Sequence, residues 1–127
     1  MTNVVVLRGR LTRPASMKVL PSGDRLTAFD LTVPAADGGR AEPVPVSWFG
    51  AAAWFDEVEP GDELVVVGRV HRRFFRGASG LQSRTEVVVD AAAPARQASR
   101  AAAIVRRAVD AAVGTPGGRR RAAPTFE

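Results

Sequence analysis

Across residues 1–90, apolar and polar side chains alternate in short runs that clusters of Gly, Pro, Asp and Ser interrupt. A period of two sends successive side chains to opposite faces, the mark of half-buried strands. Asn3–Leu11 (NVVVLRGRL) reads as a β-branched strand with a bulge or bend at Gly9. A loop through Pro14 leads to a short strand at Lys18–Leu20, which ends in a tight turn at Pro21–Asp24. Leu26–Val33 (LTAFDLTV) is a strand with Thr27, Phe29, Leu31 and Val33 facing the core. After a Pro/Gly/Asp-rich loop, Val44, Val46 and Trp48 fall on one side of the next strand, and Ser47 and Phe49 on the other. Pro43 and Pro45 offer no amide donors, so that strand begins at an edge or a bulge. Gly50–Val58 (GAAAWFDEV) carries the first helical pattern; Trp54 and Phe55 can plug one end of a barrel, and Pro60–Gly61 stops the helix.

The longest regular stretch follows. Glu63–Phe75 is a strand, Gly77–Gly80 a turn, and Leu81–Asp90 a returning strand. Alternation sends Leu64, Val66, Gly68 and Val70 towards the core and Arg69, His71, Arg73 and Phe75 away from it. Positive charge interleaved with an aromatic ring on a rigid strand suits gripping a phosphate backbone and stacking bases. An ordinary solvated hairpin arm is the plain alternative. Five full strands with a short helix between the third and fourth give the layout of an OB-fold barrel, so an all-β fold is expected.

Residues 91–127 differ in character, being rich in Ala and Arg and poor in large apolar side chains. Ala95–Val113 reads as a helix closed by Gly114 with Pro116 beyond. Ala101, Ala102, Val105, Ala108, Val109 and Ala112 form its shallow apolar stripe. Thr115–Glu127 reads as basic and disordered. The expected division is a barrel domain over 1–93 and a tail over 94–127.

Charge sharpens this picture. Residues 1–90 hold 11 basic and 11 acidic side chains, whereas 91–127 hold 7 and 2, so the whole excess of +5 lies in the tail. The neutral front part is locally sorted: Asp56, Glu57, Glu59, Asp62 and Glu63 cluster, and Arg69, Arg72, Arg73 and Arg76 follow. Such a surface steers a polyanion to one side. Arginine outnumbers lysine 17 to 1, which coding bias explains as readily as function. With no cysteine and one histidine, neither a disulfide nor a protein zinc site is expected. The longest uncharged run, Pro43–Phe55, has 13 residues, against the roughly 20 a membrane helix needs. Arg8 and Arg10 interrupt the N-terminal apolar run, so no signal pattern is read and a cytoplasmic, nucleoid-associated protein is expected.

Catalysis finds little support. The acidic cluster at 56–63 lies on a short helix and its exit turn, where solvated charge is the ordinary explanation. No GxxxxGK phosphate loop and no nucleophile–base pair occurs in the two long strands. A binding protein without a cofactor is the expectation.

Five pieces in order carry a resemblance: NVVVLRGRL, PSG followed by LTAFDLTV, a strand ending Trp48–Phe49–Gly50 before an alanine helix, PGDELVVVGRV, and the hairpin with Ser79–Gly80 and TEVVV. Over roughly residues 2–90 the chain resembles the bacterial single-stranded DNA-binding protein (SSB) family. The resemblance implies an OB fold, a homotetramer with a dimer as the alternative, and sequence-independent wrapping of single-stranded DNA. The family's stacking aromatic on the first strand of the hairpin falls on Phe75, its basic neighbours on Arg73 and His71, and another Phe on Phe49. Together with the basic side chains nearby, the expected DNA contacts are Arg10, Phe49, Arg69, His71, Arg73, Phe75, Arg76 and Arg84.

The chain also departs from the family. Pro43 stands where well-studied members open a strand with Trp, and the loop PAADGGRAEPVP holds no aromatic. Trp48 lies on the core side, leaving Phe74 and extra arginines as partial compensation. In place of the family's acidic tip the chain has RRRAAPTFE, with Phe126 after Arg119, Arg120 and Arg121. Recruitment of repair enzymes through an acidic tail is therefore not expected. The alternative function is an assembly module on the same fold, such as a mixed-oligomer partner of another such protein, with little DNA affinity of its own.

Overall fold

A computed structural model describes residues 3–114. The strands are β1 (Val5–Leu11), β2 (Ser16–Val19), β3 (Arg25–Val33), β4 (Glu42–Phe49), β5 (Glu63–Gly77) and β6 (Gly80–Pro94), followed by the helix α1 (Ala98–Val113). The sheet runs β1–β5–β6–β4–β3–β2, and a further β1–β3 pairing closes it into a ring. The architecture is mostly β and consistent with the OB fold. Closure joins β1 to β3 over two residue pairs, Arg10–Thr32 and Leu11–Leu31.

Ring closure depends on β1 changing partner. Val5–Arg10 pair with β5, whereas Arg10 and Leu11 pair with Thr32 and Leu31 of β3. Gly9 sits at this crossing, where a Cβ would come within 2.6 Å of the Thr32 carbonyl oxygen. Its register with β5 is unbroken, so Gly9 marks a close approach rather than a bulge. The bulge lies elsewhere: between Val67/Gly68 the β5–β6 register shifts, with Asp90 left over on β6. Glycine is required there too, because a side chain at Gly68 would strike the Val88 carbonyl.

Leu31, Val46, Leu64 and Val66 are fully buried inside the ring. An aromatic cluster plugs one end. Phe55 lies 4.7 Å from Phe29 and 5.6 Å from Trp48, centroid to centroid, and Trp54 lies 5.6 Å from Trp48. Burial of side chains this size contributes roughly 1.5–3 kcal/mol each. Pro43 and Pro45 pair with Thr32 and Asp30 of β3, while β6 reaches β4 only at Val46 and Ser47. The first half of β4 therefore has a free edge, where missing amide donors cost nothing.

Three expectations need correction. Gly50–Val58 is not an α-helix: only a five-residue 3₁₀ helix, Ala53–Glu57, forms between β4 and β5. Packing decides this, since a single tight turn suffices to seat Phe55 in the core before Pro60 and Gly61. The one α-helix among the described residues is instead α1, at the end of the chain, starting three residues later than expected. Its docked stripe is also rotated: Ala101 and Ala108 are buried and Ile104 and Val105 partly so, whereas Ala102, Val109 and Ala112 are exposed. The stripe meets Val65 and Ala93 on the outside of the ring, a contact invisible to helical periodicity. Finally, Val70 is 45% exposed, because β5 has by then left the ring to form the free hairpin. The expectations for Thr115–Glu127, including Arg119, Arg120, Arg121 and Phe126, lie outside the described residues.

Candidate nucleic-acid interface

The cross-strand register assembles one outer face from five strands. On β5 and β6, Arg69 opposes Val88, His71 opposes Glu86, Arg73 opposes Arg84, and Phe75 opposes Gln82. Next to β6, Ser47 of β4 stands beside Val88. Phe49 then opposes Leu26 of β3, and Leu26 opposes Lys18 of β2. The face is creased into two adjoining hollows. One runs past Lys18, Leu26, Phe49, Arg69 and His71, the other past Arg13, Asp30, Pro45 and Arg84. Arg73 and Glu86 line both.

Aromatic rings are available on this face. Phe49 is 48% and Phe75 41% exposed, too much for core residues and enough to offer a flat face to a planar partner. The two rings are held differently. Phe49 ends β4 just before Gly50, whose φ of 68° turns the chain sharply. Phe75 is carried by the hairpin.

Charge on the face is balanced rather than bare. Glu86 is buried, accepts a hydrogen bond from Ser47 Oγ at 3.1 Å, and lies 3.6 Å from Arg73 Nη1. Asp30, on the same outward side of β3 as Leu26, lies 3.8 Å from Arg13 and 3.9 Å from Arg84. Arg69 meets Asp90, the bulge residue of β6, at 3.4 Å. Arg13, Arg69 and Arg84, half exposed or more and facing carboxylates that reach solvent, gain little from such pairs, roughly 0–1 kcal/mol each. They are thus held in place yet can exchange a carboxylate for a phosphate.

Of the eight side chains singled out from sequence, the structure brings Phe49, Arg69, His71, Arg73, Phe75 and Arg84 onto this one face. It separates the other two. Arg76 opposes Leu81 and shares the far side of the hairpin with Val70, Arg72 and Phe74. Phe74, although 63% exposed, therefore does not replace a missing ring in the groove. Arg10 donates to the Gly61 carbonyl at 2.9 Å and pairs with Glu63, about 26 Å of strand away from His71. Trp48, with 8% exposure, is sealed in the core and offers no stacking surface.

Sequence reading missed Lys18 and Arg13. Both sit on or beside the short exposed strand β2, whose register with β3 alone aligns Lys18 with Leu26. No local pattern in SMKV signals this. Away from the face, Arg8 grips Glu63 through two hydrogen bonds of 3.0 and 3.2 Å. That contact holds the Glu63 carboxyl below the usual carboxylate range and raises Arg8 above its ordinary value. Among the described residues no group of His, Asp and Glu has a metal-holding arrangement, and no helix is long and apolar enough to cross a membrane.

Comparison with known proteins agrees with this geometry. Residues 2–94 match the single-strand binding protein family. A single-stranded DNA-binding protein of Thermus aquaticus is 30% identical over 94 residues, covering 68% of this chain and 36% of that protein. The chain thus matches about a third of its relative's length. From the ring closure, the outer face and the match over residues 2–94, the chain belongs to the single-strand binding protein family.

Proposed function

We propose that the chain binds single-stranded DNA without sequence preference and covers strands exposed during replication, recombination, repair or DNA uptake. The observation that carries this reading is the shared face on which Phe49 and Phe75 stand half exposed among Arg69, His71, Arg73 and Arg84. Stacking on an aromatic ring accepts any base, and guanidinium groups grip phosphate whatever the sequence. Duplex DNA hides its base faces and cannot use the rings. Titration of a labelled oligo-dT against its duplex by fluorescence anisotropy tests the reading. Tight, salt-sensitive binding of the single strand is expected; equal binding to both forms would refute it. Phe75→Ala is expected to weaken binding by roughly 1–3 kcal/mol, about 5- to 160-fold, alike for oligo-dT and mixed sequences.

Assembly as a homotetramer belongs to the same proposal. Beyond Arg10 and Leu11, β1 has no partner on its β3 side, so Val5–Gly9 present a free edge suited to a second copy. Mass measurement in solution, with and without oligo-dT, is the check; a monomer under both conditions would overturn it.

A further inference from the structure

The helix α1 lies beyond the matched residues 2–94, yet it sits on the same outer face as the groove. Val65, Arg69, His71 and Arg73 share one side of β5, and α1 docks Ala101 on Val65 just before the basic run begins. The two basic regions differ in charge balance. In the groove, Arg13, Arg69, Arg73 and Arg84 each face an acid within 4 Å. Arg96, Arg100, Arg106 and Arg107 make no ion pair among the described residues, and Asp110 is the only acid on α1. Arg100 is fixed instead by Gln97 Oε1 at 3.1 Å and by the Trp54 ring, 5.8 Å from its guanidinium carbon. Trp54 follows Phe49 by five residues, so the ring beneath Arg100 lies within about 18 Å of backbone from the groove aromatic. Arg107 lies two helical turns further on the same edge, next to the docked stripe.

We propose that the Arg100–Arg107 edge of α1 is a second backbone-binding surface for the single strand that occupies the groove, continuing its path past Phe49. This rests on the groove being the primary site. A phosphate reaching Arg100 or Arg107 displaces no internal carboxylate, so each contact adds fully to the electrostatic part of binding. No aromatic lies on α1 itself, so the contact carries no base preference.

The test uses the full chain with Arg100→Gln and Arg107→Gln, glutamine being a good helix former. Circular dichroism verifies that α1 persists. Binding is measured across a salt series with oligo-dT of about 8 nucleotides, enough for one groove, and of about 30. For the longer strand the plot of log K against log salt is expected to be shallower by about 1.4, two phosphates at about 0.7 each. The shorter strand should show an unchanged slope. Arg107→Gln alone, which removes no interaction within the described fold, should give about half that change for the longer strand. Normal binding of the short strand with an unaltered slope for the long one overturns the α1 surface alone. Failure of the unmodified protein to bind the short strand overturns the groove reading, and the α1 extension with it.

Discussion

Replacing Glu86 by Gln tests how the groove holds its charge. The Glu86 carboxylate is buried, receives Ser47 Oγ at 3.1 Å, and sits 3.6 Å from Arg73, directly opposite His71. A phosphate on the outer side of the Arg73 guanidinium would lie about 7 Å from that carboxylate, allowing one hydrogen-bond length to each side of the guanidinium. Two like charges at that distance repel by about 0.6 kcal/mol at the dielectric of water and about 2.4 kcal/mol at an effective value near 20. Glutamine keeps the oxygen that Ser47 needs and removes the repulsion. Glu86→Gln is therefore expected to bind oligo-dT about 3- to 60-fold more tightly, with the gain shrinking as salt is added. Anisotropy of a labelled oligonucleotide at two salt concentrations reads this directly. Weaker binding by a variant whose urea midpoint is unchanged would refute the reasoning. Glu86 would then act by holding Arg73 in position, and that would outweigh its repulsion of phosphate.

Gly68→Ala should destabilise the protein by about 1–3 kcal/mol, read as a lower urea midpoint, because the new methyl meets the Val88 carbonyl where the β5–β6 register shifts; an unchanged midpoint would show that the bulge relaxes freely. Glu63 supplies a pH-dependent contribution. Its carboxyl is held below the usual range by the Arg8 hydrogen bond, so the folded protein takes up that proton later than the unfolded chain does. The contribution is whole above about pH 4.3, the ordinary Glu value, and fades as pH falls through the lower folded value. Glu63→Gln should flatten this limb of an acid-unfolding curve slightly, since the Arg8 side chain is 64% exposed; a curve identical to that of the unmodified protein would show the pair to be inert.

Strand positions and inward faces were legible because alternation is a local signal. Phe29, Leu31, Val46, Leu64 and Val66 are buried as their parity requires. The basic side of β5 was legible for the same reason. Arg69, His71, Arg73 and Phe75 remain on one face because the extra bulge residue is Asp90 on β6, so β5 keeps its parity. Arg76 falls on the other side of the hairpin, since a neighbour one residue past Phe75 points away from it. Arg10 lies away from that face because its strand reaches the opposite end of β5 from His71. Val70 shows the limit of parity itself, which says which way a side chain points but not whether anything lies there to cover it.

By itself, then, the sequence determined the strands, their inner and outer faces and the stretch where arginine and aromatic rings alternate, because each depends on side-chain chemistry a few residues apart. Only the tertiary structure decided which strands stand side by side. That pairing brought Lys18, Phe49 and Arg84 from distant segments beside Arg73, set Glu86 and Asp30 as internal counter-charges, and docked α1 on Val65. Contacts between residues tens of positions apart follow from ring closure and register, and no local pattern records them.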